Sequence, residues 1–269
     1  MSVGRRKVRL DDAEAWVFNR MADVYSARPA YPVPLIDALC ELGAGAGRRV
    51  LDLGSGIGHV ALPLSERGFD VTAVDAAGAM LEQLACAARA RGLRLEAVHA
   101  MAEALPLESG RFDLVVVADA LHFLDKELAA AEIRRVLAPR GALALVTSEF
   151  APTAFMRAVV EVMEQAAPRR PRDVLPSIEQ VAAVTGVDLR WTSRFVDETP
   201  VDRATLERIL RSISFIGPAM NAQRFAAFRE RIHALPHAPV WARVFTLRAG
   251  RRGGGAVTAR AEGAQGAGD

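Results

Sequence analysis

The stretch "VLDLGSGIGHVALPL", Val50 to Leu64, opens as an apolar run, turns through Gly54, Gly56 and Gly58, and leaves with helical periodicity. A strand that feeds a helix through closely spaced glycines starts a βα unit, and the same alternation continues downstream. "RRVLDLG" reads as a first strand, "GHVALPLSERG" as a helix ending at Gly68, and "FDVTAVD" as a second strand. "AAGAMLEQLACAARARG" is a helix closed by Gly92, and "LRLEAVHA" a third strand. "RFDLVVVADAL" is a fourth strand, almost wholly apolar, as befits one buried on both faces. "KELAAAEIRRVLAPRG" is a helix stopped by Pro139 and Gly141, and "ALALVTSEF" a fifth strand. Strands alternating with helices in this way predict an α/β fold, a doubly wound and mostly parallel sheet covered on both sides.

The flanks are less regular. Residues 12–42 hold two helical stretches broken by "ARPAYPVP", whose prolines impose extended backbone. Residues 150–185 read as a helical insert, "PTAFMRAVVEVMEQAA", followed by the proline- and arginine-rich "PRRPRDVLP". "VDLRWTSRFVDE" and "VWARVFTLRA" are two further strands, separated by helices around 202–214 and 221–234. The Gly- and Ala-rich end has no apolar periodicity and reads as a disordered tail. The expected organisation is an N-terminal helical segment over 1–42, a main domain over 43–249 carrying the 150–185 insert, and a tail over 250–269.

Composition removes several classes of function. Of 269 residues 51% are hydrophobic and 25% charged, which suits a chain that forms a core. Net charge is +2 with the basic residues scattered, so neither nucleic acid nor an anionic membrane is expected as partner. Apart from Lys7 and Lys126 every basic side chain but histidine is arginine, which with the abundant alanine reads as genomic bias. Cys40 and Cys86 are too few for a disulfide framework and lack metal-ligand spacing. No N-terminal apolar core marks a signal peptide, and no apolar run nears the roughly 18 residues that span a bilayer. The expected compartment is the cytoplasm, and the expected assembly a monomer or homodimer.

The turn points to a ligand. A dinucleotide fingerprint places glycines at the first, third and sixth positions, but here the sixth is His59 and the third glycine falls one residue early, at Gly58. Asp75 ends the next strand, roughly 20 residues on, where an acidic side chain grips a ribose diol. No Gly-Lys-Ser/Thr follows, which excludes a phosphate loop. On these residues alone an adenosine-containing ligand is indicated and its class stays open.

"VLDLGSGIGHVALPLSERGFDVTAVDAAGAML" resembles the first two motifs of the class I S-adenosylmethionine-dependent methyltransferases. "AEALPLESGRFDLVVVADALHFL" and "EIRRVLAPRGALALV" resemble the motifs after the third strand, along the fourth and before the fifth. The resemblance covers roughly residues 15–150. It implies a Rossmann-like methyltransferase fold of seven strands, the last antiparallel, with "VWARVFTLRA" the candidate for that strand. It implies S-adenosyl-L-methionine as cofactor, with Asp52, Gly54, Ser55 and Gly56 at the turn, Asp75 and Ala76 at the ribose, and Met80 on the adenine. Met101, Ala102 and Glu103 would complete the adenine side and Ala118 the end of the fourth strand. Two departures stand out: Met101 replaces a commonly found aspartate, and Arg140 a usual glycine. "NRMADVYSARPAYP" resembles a segment of small-molecule members in which a tyrosine and an arginine close over the methionine end, here Tyr25 and Arg28. An arginine fork suits a carboxylate, and the whole 1–42 segment would then act as a lid.

The physical chemistry is consistent with that implication. The cofactor carries no phosphate and needs close backbone approach, which glycine permits. Asp75 has helix capping as its alternative role. Methyl transfer is an in-line displacement that needs alignment and a base only where the nucleophile must lose a proton. His122 in "ADALHF" is the candidate base, with simple packing as the alternative. Asp119 is a weaker candidate, and His59 reads as structural. No Asn/Asp-Pro-Pro-Tyr/Phe and no clustered acidic metal set is seen, so neither a nucleic-acid base nor a metal is expected. A small, fairly apolar acceptor remains, with Trp16, Phe18, Tyr31, Phe123, Phe150, Phe155, Met156, Phe215 and Met220 as candidates for its pocket and 150–185 as its cap. The expected reaction is methyl transfer to a small molecule, at oxygen first, with carbon or nitrogen as alternatives, as in secondary metabolism. The alternative is a non-methylating member of the fold that holds the cofactor structurally and promotes a cyclisation or rearrangement.

Overall fold

The computed structural model describes residues 17–168 and 174–253. Trp16, residues 169–173 of the 150–185 insert and residues 254–269 of the expected 250–269 tail lie outside the described residues, whereas Gly250 and Arg251, expected in that tail, belong to the last strand of the sheet. Seven strands form one sheet in the order β3-β2-β1-β4-β5-β7-β6. They are β1 (Arg49–Leu53), β2 (Asp70–Asp75), β3 (Glu96–His99), β4 (Phe112–Ala118), β5 (Leu137–Phe150), β6 (Trp191–Pro200) and β7 (Val240–Arg251). The first five are parallel, and β7 runs antiparallel between β5 and β6. The seven-stranded fold with its antiparallel last strand is as the sequence implied.

Nine helices accompany the strands among the described residues: α1 (Ala22–Tyr25), α2 (Val33–Ala44), α3 (Ala61–Glu66), α4 (Gly78–Ala90), α5 (Lys126–Val136), α6 (Ala154–Ala166), α7 (Leu175–Thr185), α8 (Arg203–Arg211) and α9 (Ala222–His233). Two short 3-10 turns, Val17–Met21 and Leu121–Phe123, precede α1 and α5. Successive residues of β1, β4 and β5 point to opposite faces. Leu51, Val115, Val117, Leu143 and Leu145 join one core with Ala129, Ile133 and Val136 of α5 and Ile178 and Val181 of α7. Val50, Leu114, Val116, Ala142 and Ala144 join a second core with α2 and α3, through Leu35, Leu39, Leu42, Ala61 and Leu64. The sheet is therefore the middle of three layers, which is why its central strands are mostly apolar, with Asp52 of β1 and Asp113 of β4 as buried exceptions.

Two boundaries differ from the sequence reading. α5 ends at Val136, before Pro139, because Leu137 already pairs with Phe112 of β4. Helix α2 begins at Val33, inside "ARPAYPVP", with Pro34 in its first turn, where a missing N–H costs nothing. The 150–185 segment divides between two cores. α7 covers the sheet beside α5, whereas α6 packs with α8, α9 and β7 through Phe155, Met156, Val159, Ile209, Phe225 and Trp241. α6, α8 and α9 thus form a third core of their own, carried on the far ends of β5 and β7.

Candidate functional site

The site grows from the turn after β1. Gly54, Gly56 and Gly58 hold φ of +76°, +55° and +91°, which L side chains rarely adopt. A Cβ at Gly54 would also lie 2.5 Å from the Ala120 Cβ. The turn is pinned to β2, because the Gly54 and Ser55 amides both donate to the Val74 carbonyl, at 2.8 and 3.0 Å. Asp75 completes the clamp: Oδ2 accepts from the Gly56 amide and Oδ1 from the Ala77 amide, each at 2.8 Å. Ala77, not Asp75, is the N-cap of α4, so Asp75 bridges turn and helix and does not cap the helix. Burial raises its pKa, and those backbone bonds oppose the rise.

Tyr25, Tyr31, Asp52, Ser55, His59 and Ala118 line a pocket over this turn, with an empty volume of about 310 Å³ including its open mouth. Asp52 is 1% exposed, and its Oδ2 has no hydrogen-bond partner, nor has the buried Ser55 hydroxyl. Burial pushes the Asp52 carboxyl up to about 7, a bond from the Ala61 amide resists, and the nearby Asp75 charge adds to the rise. Two carboxyls thus lie under one turn, Asp75 with both oxygens bonded to backbone amides and Asp52 with one buried oxygen unpartnered.

The N-terminal segment closes one wall. Phe18 packs edge-on to Tyr25 and Phe123, and Tyr25 stacks on His59 at 6.1 Å between centroids. His59 in turn meets Tyr31 edge-on, and Tyr31 meets Phe245, so rings run unbroken from the surface to the core. Asn19 caps α4 in place of a residue of that helix, accepting from the Ala79 amide at 3.0 Å. Arg28 donates to the Ser212 hydroxyl and carbonyl, at 2.8 and 2.6 Å, and to the Tyr25 hydroxyl at 3.2 Å. Its fork joins the N-terminal segment to the end of α8 and does not line the pocket.

Other expected residues lie as follows. Met80 is 1% exposed and buried with Met21, Ala22 and Ala77 beneath the N-terminal segment. The Ala76 carbonyl meets a ring nitrogen of His99 at 3.1 Å. Met101 and Ala102 sit in the loop after β3, and Glu103 accepts from the Asp125 amide at 2.7 Å. That loop is braced by Arg135, which donates to the Leu105 and Leu107 carbonyls, while Glu132 accepts from the Leu105 amide. His122 is half-buried on the 3-10 turn after β4, its ring 3.9 Å from that of Phe123.

His59, structural on the sequence alone, lines the pocket between Tyr25 and Tyr31. Burial lowers its pKa to about 4, with Arg243 and Arg28 adding to the fall, so it is neutral at physiological pH. Its signal was the departure from glycine at the sixth position of the turn. Asp119 stands just beyond the β4 end with φ +52°, its carboxylate accepting from Ser148. The bonds to β5 backbone are those expected for a residue near a strand end.

Comparison with known proteins decides the family. A family model described as methyltransferase domain matches residues 50–141. Malonyl-[acyl-carrier protein] O-methyltransferase of Geobacter sulfurreducens is 32% identical over 236 residues, spanning 83% of this chain and 85% of its own. The chain belongs to the class I S-adenosylmethionine-dependent methyltransferases. An uncharacterized methyltransferase of Mycobacterium tuberculosis is 37% identical over 177 residues, 65% of this methyltransferase and 69% of that protein. Among solved structures, the [4+2]-cyclase SpnF shares the fold at a TM-score of 0.57 and 19% identity, covering 89% of this chain and 95% of its own. Among the described residues, no helix of the methyltransferase is long and apolar enough to cross a membrane, and no cluster of His, Cys, Asp or Glu could hold a metal ion.

Proposed function

We propose that this methyltransferase binds S-adenosylmethionine over the Gly54–Gly56 turn and methylates an oxygen of a small, fairly apolar metabolite. The observation that carries the reading is the buried, partnerless Oδ2 of Asp52. The cofactor's amino end is an ammonium, and a carboxyl already excluded from water gains most from such a partner. Ser55 supplies a second unpartnered oxygen beside it. Asp75, with one lone pair on each oxygen taken by backbone, keeps the others for the ribose diol. Gly56 leaves open space where a side chain would stand, the nearest atom to its would-be Cβ being 4.0 Å away on Tyr25. Ala76, Met101, Ala102 and Glu103 would border the adenine and Ala118 the methionine end. Met80 supports the adenine wall from beneath. Arg28 holds Tyr25 over the site and ties the lid to a cap of α6, α8 and α9.

When bound, the cofactor supplies an electrophilic methyl on a positively charged sulfur. Asp52 and Asp75 would hold the cofactor by its amino end and ribose for transfer of that methyl to the acceptor oxygen, and His122 would take the acceptor's proton. An oxygen acceptor is supported by the O-methyltransferase named among the relatives. A role in secondary metabolism and a cytoplasmic location belong to the same proposal. The experiment is a metabolite screen with methyl-labelled cofactor, scoring S-adenosylhomocysteine release that depends on the acceptor. The fold also hosts the cyclase SpnF, so cofactor binding without any such release would favour the second reading, a cofactor held structurally for a rearrangement.

A further inference from the structure

We propose that Tyr31 is a catalytic residue whose hydroxyl oxygen faces the sulfonium methyl, held there by Asp119 and Ser148 as positioning residues, and that it makes the pocket prefer a sulfonium to the neutral thioether. The inference rests on the cofactor reading above and gives Tyr31, expected only as an apolar wall of the acceptor pocket, a role toward the cofactor.

The geometry runs outward from Asp119. It is the sole non-glycine residue with positive φ among the described residues, a conformation that costs energy unless its surroundings impose it. What imposes it is the end of β5: Asp119 Oδ1 accepts from the Ser148 amide and Oδ2 from the Ser148 hydroxyl, both at 2.7 Å. The Asp119 amide also donates to the Val146 carbonyl at 2.9 Å. The third donor to that carboxylate is the Tyr31 hydroxyl, at 3.3 Å. Tyr31 is in turn fixed by ring contacts on two sides, Phe245 at 5.1 Å and His59 at 6.2 Å.

The direction of the proton follows. Burial first, and the Asp119 charge second, push the Tyr31 phenol well above its usual 10, so it stays protonated and its proton is committed to Asp119. The oxygen lone pairs are then free toward the pocket that Tyr31 lines with Asp52 and Ala118. On the cofactor reading Asp52 would hold the ligand's amino end there, and Tyr31 lines the same pocket beside Ala118, the last residue of β4, with its hydroxyl anchored by Asp119 just past that strand. A phenol oxygen backed by a carboxylate, away from bulk water, attracts a positively charged sulfur and its polarised C–H bonds. It has nothing comparable to offer a thioether. Such binding favours the ground state, so its benefit is a fixed methyl axis and quicker loss of the uncharged product, not charge stabilisation in the transition state.

The test is calorimetric binding of S-adenosylmethionine and S-adenosylhomocysteine to the full chain, wild type, Tyr31→Phe and Asp119→Asn. Asparagine tolerates positive φ and keeps an oxygen for the Ser148 amide, so that variant probes charge and not folding. Tyr31→Phe should weaken the sulfonium ligand about fivefold while the thioether changes less than about twofold. Asp119→Asn should shift the ratio the same way by less, a selectivity that a packing role would not produce. A wild-type chain that bound neither ligand would sink the cofactor reading and this inference with it. A wild type that bound both, with the ratio unchanged in Tyr31→Phe, would sink the inference alone.

Discussion

At the scale of the residue, Asp52 sets stability against binding. In the unfolded chain its carboxyl ionises near the usual 3.8, whereas in the fold it keeps its proton to about 7. The folded state therefore holds the extra proton between those values, and stability falls as pH rises through that window, fully so above 7. Asp52→Asn keeps an oxygen for the Ala61 amide and removes the buried charge, so it should melt higher than wild type at pH 8 and nearly level with it at pH 4. The same variant should lose cofactor affinity by about tenfold or more, since it deletes a charged partner. In wild type the affinity should rise from pH 6 to 8 with proton release, read by calorimetry in buffers of different ionisation enthalpy. A pH-independent affinity would show that Asp52 does not meet the ammonium. Asp75 gives a second residue-scale expectation. It holds the Gly56 and Ala77 amides as well as any diol, so Asp75→Ala should cost about 1–3 kcal/mol of stability together with about tenfold in cofactor affinity. Denaturant melts and calorimetry on one preparation separate the two losses. Asp52 and Asp75 were readable in the sequence because motif spacing places them. The contact between His59 and Tyr31 was not, because rings 28 residues apart in the chain meet only through the turn's shape.

At the scale of the element, the N-terminal segment is held by few and specific bonds. Arg28 is bonded to Ser212, Asn19 to the Ala79 amide, and the Pro29 and Ala30 carbonyls accept from Arg243. The sequence showed two helical stretches and a proline break but not these anchors, since each partner lies far along the chain. It read the central strands well, since burial on both faces leaves a continuous apolar run. It overran α5 by two residues because the Leu137–Phe112 pairing, a long-range contact, outweighs local helix propensity. Arg28→Ala removes the fork that joins Tyr25 to α8 and leaves the sheet cores untouched. We expect global stability to fall by no more than about 1–3 kcal/mol, the usual cost of an orphaned partner. Residues 17–31 should become the first site of limited proteolysis, and cofactor affinity should drop about tenfold. Proteolysis unchanged from wild type would show that Asn19 and Arg243 suffice to hold the segment.

At the scale of the whole molecule, one sheet serves three cores with two different tasks. The pair flanking β1, β4 and β5 positions the turn, Asp52 and Asp75. The third is built from α6, α8, α9 and the far ends of β5 and β7, and contains no residue of the glycine turn. Its existence was hidden in the sequence, where α6 and α7 form one apparent insert and only packing assigns α7 to the sheet. The division predicts separable losses. Ile209 of α8 is fully buried in the cap core, so Ile209→Ala should destabilise the chain by about 2–5 kcal/mol in denaturant melts. Because no cap-core residue lines the Asp52 pocket except through the Arg28–Ser212 link, cofactor affinity should change by less than about threefold under native conditions. Turnover of an identified acceptor should fall further, through a higher KM, because a loosened cap holds the acceptor less firmly. Cofactor affinity falling in step with stability would mean that cap and sheet close over the ligand as one unit, with Arg28 as the joint between them.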